Sequence, residues 1–465
     1  MKIRYRDLIE QTFDWPQTEF DHQNDQLTFH GIPMLDLAKE FGTPLKFTYI
    51  PKIGQNIDQM RKWFKQSMKK LDYPGEYHYC YVSKSGHFRH ILSEVIAHGA
   101  HLETSSTFDL DIIKALCKEG KIDKSHRVIC NGFKTQDYIS KIGELLDDGY
   151  TGLIPIIDNA YEFSLFRQTS DKPVEIGIRI ASEEEPKFEF YTSRLGIRYK
   201  DITRFHMNQV HDREDVSLKM LHFFVNTGIR DTAYYWNELN KCLNVYCELA
   251  KVCPTLDSLN IGGGFPFKNS LAFDFDYKYM IEQILEQIKL RCESEGVNPP
   301  HIYTEFGSYT VAESGGVIYK VLYQKQQNDR EKWNIINSSF MTTLPDTWAI
   351  SAKFISMPIH RWDDEYERVF LGGITCDSED YYNSEQHINA IYMPVFDKKR
   401  EMFIGFFHTG AYQESIGGYG GIHHCLIPQP RHILIDRDEE DNLTYKEYSP
   451  AQKAEDMLSI LGYNK

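Results

Sequence analysis

Leu259-Asn260-Ile261-Gly262-Gly263-Gly264-Phe265-Pro266 runs from a short apolar stretch straight into three consecutive glycines. Three glycines in a row permit positive φ values and a close approach of backbone to another group. Successive N–H groups in such a turn form a nest for an anion, although a plain flexible turn explains the tripeptide taken alone. The surrounding pattern narrows the choice. Strand-like runs of apolar, β-branched and aromatic residues fall at 77–82, 100–104, 127–131, 153–157, 174–181, 220–227, 259–261 and 302–305. Amphipathic segments with helical spacing separate most of them, as at 87–98, 108–120, 138–146 and 235–252. Eight strands alternating with helices over roughly 250 residues predict an α/β fold, a (β/α)8 barrel, with a doubly wound open sheet as the alternative. Barrels often bind phosphate in the loops after strands seven and eight, and the glycines follow the seventh run.

The barrel is expected over 45–315. Beyond it the pattern changes to strand-like runs at 317–322, 333–337, 369–371 and 402–407, with two more around the charged turn at 436–442. This predicts a second, mostly β domain over 316–465. Residues 1–44 lack a barrel unit and are assigned to the same β-rich domain, with 27–29 adding a strand.

Composition bounds the function. The 465 residues suffice for two cores, and 41% hydrophobic with 26% charged residues is ordinary for a soluble globular protein. A formal net charge of -15 argues against nucleic acid and anionic membrane surfaces, both of which repel an acidic field. No stretch approaches the ~18 apolar residues of a membrane span, and Met1-Lys2-Ile3-Arg4 runs into charged residues instead of the apolar core of a signal peptide. The nine cysteines are scattered without a CxxC pair. Neither a metal site nor a disulfide framework is therefore expected, and a cytoplasmic location fits.

Several candidate groups converge on one end of the predicted barrel. Lys84 closes the first run, in Tyr79-Cys80-Tyr81-Val82-Ser83-Lys84, at the mouth where barrel active sites form. A desolvated amine there is a nucleophile for a carbonyl group, whereas a solvated loop lysine is the plainer alternative. Glu103 ends the second run and Glu305 the eighth. Arg179 lies inside the fifth, where an unpaired charge is costly, so it is either functional or half of a structural ion pair.

With these residues the chain resembles the fold-type III pyridoxal-phosphate decarboxylases, and among them the biosynthetic arginine decarboxylases, from Gly42-Thr43-Pro44-Leu45 to about Pro428. Lys84 falls at the family's cofactor lysine, and His101-Leu102-Glu103-Thr104-Ser105-Ser106 at its acidic strand-two motif. Gly262-Gly263-Gly264-Phe265-Pro266 resembles the phosphate loop, and Glu305-Phe306-Gly307 the motif whose glutamate faces the pyridine nitrogen. Leu344-Pro345-Asp346-Thr347-Trp348-Ala349-Ile350, Ile374-Thr375-Cys376-Asp377-Ser378 and Gly410-Ala411-Tyr412-Gln413-Glu414 look like arginine-decarboxylase motifs more than ornithine or diaminopimelate ones.

The resemblance implies an alanine-racemase-like barrel, pyridoxal phosphate as cofactor, and a homodimer or higher oligomer with shared sites. It implies that Cys376 and Asp377 reach across the interface, Cys376 as proton donor and Asp377, with Asp346, toward the substrate. It places Glu103, Arg179, Phe224, Thr227, Gly307 and Tyr412 around the cofactor. The implied reaction is L-arginine to agmatine and CO2 in polyamine biosynthesis. Diaminopimelate, carboxynorspermidine, ornithine and lysine are alternative substrates, and an inactive regulatory relative is the alternative of another class. Three departures stand out. Phe224-Val225-Asn226-Thr227 replaces the family's His-x-Gly-Ser, Ser308 replaces an arginine, and the long helical insertion and C-terminal extension of most biosynthetic arginine decarboxylases are missing. Phe224 can stack on a ring but cannot hydrogen-bond, and His222 stands two residues earlier.

Overall fold

Eight short strands, most of their side chains buried, pair in parallel. They are β1 (Tyr77–Val82), β2 (His101–Thr104), β3 (Val128–Cys130), β4 (Leu153–Ile157), β5 (Val174–Ala181), β6 (Val216–His222), β7 (Ser258–Asn260) and β8 (His301–Phe306). Each pairs with the next, and β8 returns to β1, which closes the ring. The computed structural model describes residues 4–183, 193–382 and 391–463; residues 1–3, on which the signal-peptide expectation partly rests, lie outside these. Cys80, Ile129, Ile154, Ile156, Met220 and Tyr303 fill the barrel interior. Several of the helices that follow begin on capping residues. Ser106, Thr135, Asn159 and Thr232 each accept the backbone N–H three residues on, which satisfies one of the orphan donors of the first turn.

Two expectations need correction. The sixth strand was expected over 220–227 but ends at His222. Phe223 N still donates to Asn260 O at 3.1 Å; the chain then turns, with Gly228 N donating to Val225 O at 2.9 Å. Phe224 and Thr227 therefore lie in the loop, and strand alternation does not orient them. The second correction concerns the domain boundary. The barrel unit comprises Ile53–Pro266 and Phe275–Thr310, and the other unit Met1–Lys52, Phe267–Asp274 and Val311–Lys465. Leu45–Tyr49, placed in the barrel by sequence, pairs with Gly315–Gln326 and Arg431–Arg437 instead. The short segment Phe267–Asp274 also belongs to the β-rich unit, where Lys268 Nζ lies 2.6 Å from Glu19 Oε1.

The β-rich unit is a mixed sheet in the order Tyr381–Tyr382, Tyr366–Gly372, Lys332–Ile336, Gly315–Gln326, Leu45–Tyr49, Arg431–Arg437 and Leu443–Ser449. The strand expected at 27–29 forms as Gln26–Phe29, in a three-stranded sheet with Phe20–Gln23 and Ile32–Pro33. Leu27 N reaches across to Ile359 O at 2.8 Å. Phe29, Phe407 and Trp362 anchor the core beneath.

The barrel floor makes stability pH-dependent. His78 and His101 near the starts of β1 and β2, and His126 just before β3, form a chain of rings with centroids 5.6 and 5.2 Å apart. Burial pushes His78 down to about 4 and His101 down to about 3, and lowers His126 as well. The folded state keeps these rings neutral, whereas the unfolded chain protonates them near the ordinary value of about 6.5. Below that pH the unfolded state binds more protons, so their contribution is lost progressively as the pH falls from 6.5 toward 4. Thermal unfolding should shift downward between pH 7 and pH 5, and His101→Gln should lose less over that interval. Parallel declines in the two proteins would remove the histidines from the explanation.

Candidate active site

The strand ends at the C-terminal mouth of the barrel carry a polar cluster. Glu305 stands one residue before the end of β8 and is 8% exposed. Asn131, just past β3, donates its amide to both carboxylate oxygens at 2.9 and 3.0 Å. Asn260, the last residue of β7, donates to Oε1 at 2.6 Å. The Asn260 side-chain oxygen Oδ1 accepts the N–H of Gly262 at 2.9 Å, so one asparagine joins the carboxylate to the glycine loop. Neither asparagine was singled out from the sequence. The signal was there, because both are polar residues at the mouth end of barrel strands, as Glu103 and Glu305 are.

His222 closes β6 with its Nδ1 3.9 Å from Glu305 Oε1, and burial holds this imidazole below its ordinary value. Arg179 of β5 sits beside it in register, and its charge and that of Lys84 depress the imidazole further. Glu103 on β2 is 1% exposed, and neither of its oxygens accepts a well-formed hydrogen bond. Burial, reinforced by the charge of Glu305, pushes its carboxyl up to about 8 against the pull of Lys84. Burial and the Glu305 charge thus favour the protonated form of Glu103, and Lys84, Glu305 and Glu103 share one electrostatic neighbourhood.

Lys84 occupies a single 3-10 turn, Ser83–Ser85, and its side chain is exposed. The turn is clamped on either side of it. Ser85 Oγ donates to Val82 O at 2.7 Å, and Ser83 Oγ donates to Asp109 Oδ1 at 3.0 Å. Asp109 also takes the Ser105 N–H and the Ser106 hydroxyl, each at 3.0 Å, and faces His87 Nε2 at 3.0 Å. Burial pushes this carboxyl up, but the bonds from His87, Ser105 and Ser106 outweigh it and leave the group below its usual range. Asp109 thus ties the lysine turn to the helix cap after β2.

The three glycines are locked in place. Gly262 and Gly264 take φ of +69° and +99°. A Cβ on Gly263 would lie 1.9 Å from the carbonyl oxygen of Glu305, and one on Gly264 would lie 2.6 Å from the Cα of Gly228. No side chain fits at either position. Ile229 N donates to Gly264 O at 3.0 Å, so the turn carrying Thr227 is fastened to the glycine loop. The Phe224 ring borders it: its Cδ2 is 3.3 Å from where a Cβ on Gly262 would stand. Gly307, buried after β8, accepts the Thr310 N–H at 2.9 Å.

The remaining expected residues lie in the β-rich unit. Asp346 accepts the Gln413 amide at 2.7 Å, which joins it to the segment of Tyr412, a residue with φ of +67°. Burial raises the Asp346 carboxyl. Cys376 is exposed, and Asp377 Oδ2 pairs with His424 Nε2 at 3.3 Å.

Comparison with known proteins gives a consistent picture. The sequence model of a family described as pyridoxal-dependent decarboxylase, pyridoxal binding domain, matches residues 57–312, more than half of the chain. The chain is 22% identical to biosynthetic arginine decarboxylase 2 of Synechocystis sp., over 82% of this chain and 76% of that protein. It is 20% identical to the biosynthetic arginine decarboxylase of Pseudomonas putida, over 89% and 82%. Among solved structures, the fold matches the biosynthetic arginine decarboxylase of Campylobacter jejuni with a TM-score of 0.82 at 20% identity, covering 97% of this chain and 90% of that one. The diaminopimelate decarboxylase of M. jannaschii in complex with L-lysine gives 0.79 at 17% identity, covering 95% and 97%.

Proposed function

The chain belongs to the pyridoxal-dependent decarboxylases, and from that premise we propose that it converts L-arginine to agmatine and CO2 in polyamine biosynthesis, with pyridoxal phosphate held on Lys84. The carrying observation is the mouth cluster, in which two asparagine amides fix Glu305 beside the buried Glu103 and the Lys84 turn. This set fits the cofactor. A locked glycine loop offers a cradle that any Cβ would fill, and both Glu103 oxygens lack a well-formed partner. When bound, the cofactor ring supplies an electron sink for the charge left on carbon as CO2 departs.

The chain's own groups do the rest. Lys84 would hold the cofactor through its amine, and Glu305 would face the pyridine nitrogen. The N–H groups of Gly263 and Gly264, following Gly262, would receive the phosphate, with Thr227 and Tyr412 as its further ligands. Glu103, Arg179, Phe224 and Gly307 would line the cofactor. Cys376 of the partner subunit would deliver the proton that replaces CO2. Asp377, with Asp346, faces the distal cation of the substrate, and a carboxylate meets a guanidinium with two parallel bonds. The working unit is then a homodimer with shared sites. Among the described residues no helix is long and apolar enough to cross a membrane, and we assign the enzyme to the cytoplasm.

Arginine is preferred because the chain is similar to biosynthetic arginine decarboxylases over most of its length. A panel of L-arginine, L-ornithine, L-lysine, meso-diaminopimelate and carboxynorspermidine, assayed for CO2 release, tests the choice. Arginine should give the highest kcat/KM, by about tenfold or more, as expected when one charged contact of about 1.4 kcal/mol or more is matched. Faster turnover of another member would reassign the substrate. No turnover with any of them, and no cofactor absorption, would favour an inactive relative.

Phe224 gives a second test. Its ring borders the glycine loop and stands where the family carries a histidine. Stacking on a cofactor ring contributes ~0.5–1.5 kcal/mol beyond area burial. Phe224→Ala should weaken cofactor retention sharply, while Phe224→His should keep both the absorption band and a usable rate. A lower melting temperature with unaltered cofactor affinity in Phe224→Ala would make the phenyl ring packing alone.

A further inference from the structure

Two exposed thiols meet in the β-rich unit. Cys376 lies on the loop before Tyr381–Tyr382, and Cys425 in the short turn His424–Leu426. The two thiols stand close enough to interact electrostatically. Next to them the Asp377–His424 pair, at 3.3 Å, laces the same two segments together at the adjoining positions. Cys425 and Leu426 take φ of +54° and +53°, a region that non-glycine residues rarely adopt and that persists only where the surroundings hold it. The other seven cysteines are buried or half-buried. Cys247 and Cys292 also touch one another, but both are buried, away from a dissolved oxidant.

We propose that Cys376 and Cys425 are a modification site: a peroxide joins them as a disulfide and switches decarboxylation off reversibly. In that step one S–S bond forms and two S–H bonds break. Two electrons and two protons pass to the peroxide, whose O–O bond breaks to give two waters. The consequence for activity rests on the role of Cys376 proposed above, since a sulfur held in a disulfide has no proton to give. Cys425 holds its proton more firmly than an ordinary thiol, through desolvation and the nearness of Cys376. One sulfur attacks the peroxide and the other resolves the product. A substrate bound in the shared site would cover Cys376 and slow the oxidation.

The test uses the full chain loaded with cofactor, treated with graded hydrogen peroxide and mapped without reduction. A peptide pair joined through Cys376 and Cys425 within one monomer-sized band should appear as activity falls by roughly 100-fold, the scale of a lost proton donor. A thiol reductant should restore both. Cys425→Ser should retain activity before treatment and resist the same dose, with no joined pair. Oxidation of Cys376 alone, or equal inactivation of Cys425→Ser, would overturn the switch. A joined pair with undiminished activity would overturn it too, and would strike Cys376 from the proton-donor role while leaving the decarboxylase assignment untouched. Because the joined peptides are read by mass, absence of turnover would leave that half of the test intact.

Discussion

Lys84→Ala should abolish the visible absorption of bound cofactor and lower turnover by a factor of roughly 10³ or more, the order associated with losing a group that bonds the reacting centre. The fold should survive. The side chain is exposed, and the turn that carries it is held by Ser83, Ser85 and Asp109, none of which needs the amine. The unfolding free energy should therefore change by no more than a typical surface substitution, about ±0.5 kcal/mol. Cys376→Ala should likewise fold and lose most activity. If Lys84 and Cys376 of the partner subunit build one site, mixing the two inactive variants should restore about a quarter of native activity, because half the dimers are mixed and each has one intact site. No recovery, under conditions shown to exchange subunits, would place Cys376 outside the partner's site.

Gly263→Ala should be the most damaging single methyl group in the barrel. The added Cβ would meet the Glu305 carbonyl oxygen at 1.9 Å, and Glu305 N is bonded to Gly262 O at 2.8 Å, so the clash falls on backbone that cannot swing aside. Overpacking of this kind costs about 1–3 kcal/mol and would displace the strand end bearing Glu305. Both the melting temperature and cofactor affinity should fall. Gly143→Ala is the matched control. It lies inside the helix Gln136–Asp147, its nearest neighbour would be Ser170 Cβ at an ordinary 3.4 Å, and helical alanine is favoured over glycine by roughly 0.5–1 kcal/mol. Destabilisation by Gly143→Ala with no effect of Gly263→Ala would contradict the packing described for the loop.

The barrel was legible because parallel strands buried on both faces leave short, continuous apolar runs, and the helices between them keep a helical period. All eight runs correspond to strands. What failed to show was where a run stops belonging to its neighbours. Leu45–Tyr49 adjoins the barrel in sequence, but its pairing partners lie at Gly315–Gln326 and Arg431–Arg437, hundreds of residues away. The end of β6 was misjudged because Phe223, Phe224 and Val225 continue the apolar run while the backbone has already turned toward Gly228. At the site, charged residues at strand ends were visible as candidates. Asn131 and Asn260 were not, since their importance lies in three donated bonds to Glu305 that only the closed ring creates. The pairing of His424 with Asp377 and the meeting of Cys376 with Cys425 depend on segments separated by nearly 50 residues.

Borohydride reduction of the cofactor-loaded protein, followed by digestion and peptide mapping, tests the central assignment most directly. The pyridoxyl label should sit on the single peptide containing Lys84, at that residue. Label on any other lysine, or cofactor bound with no reducible bond to lysine at all, would contradict the assignment of the barrel mouth as the catalytic site.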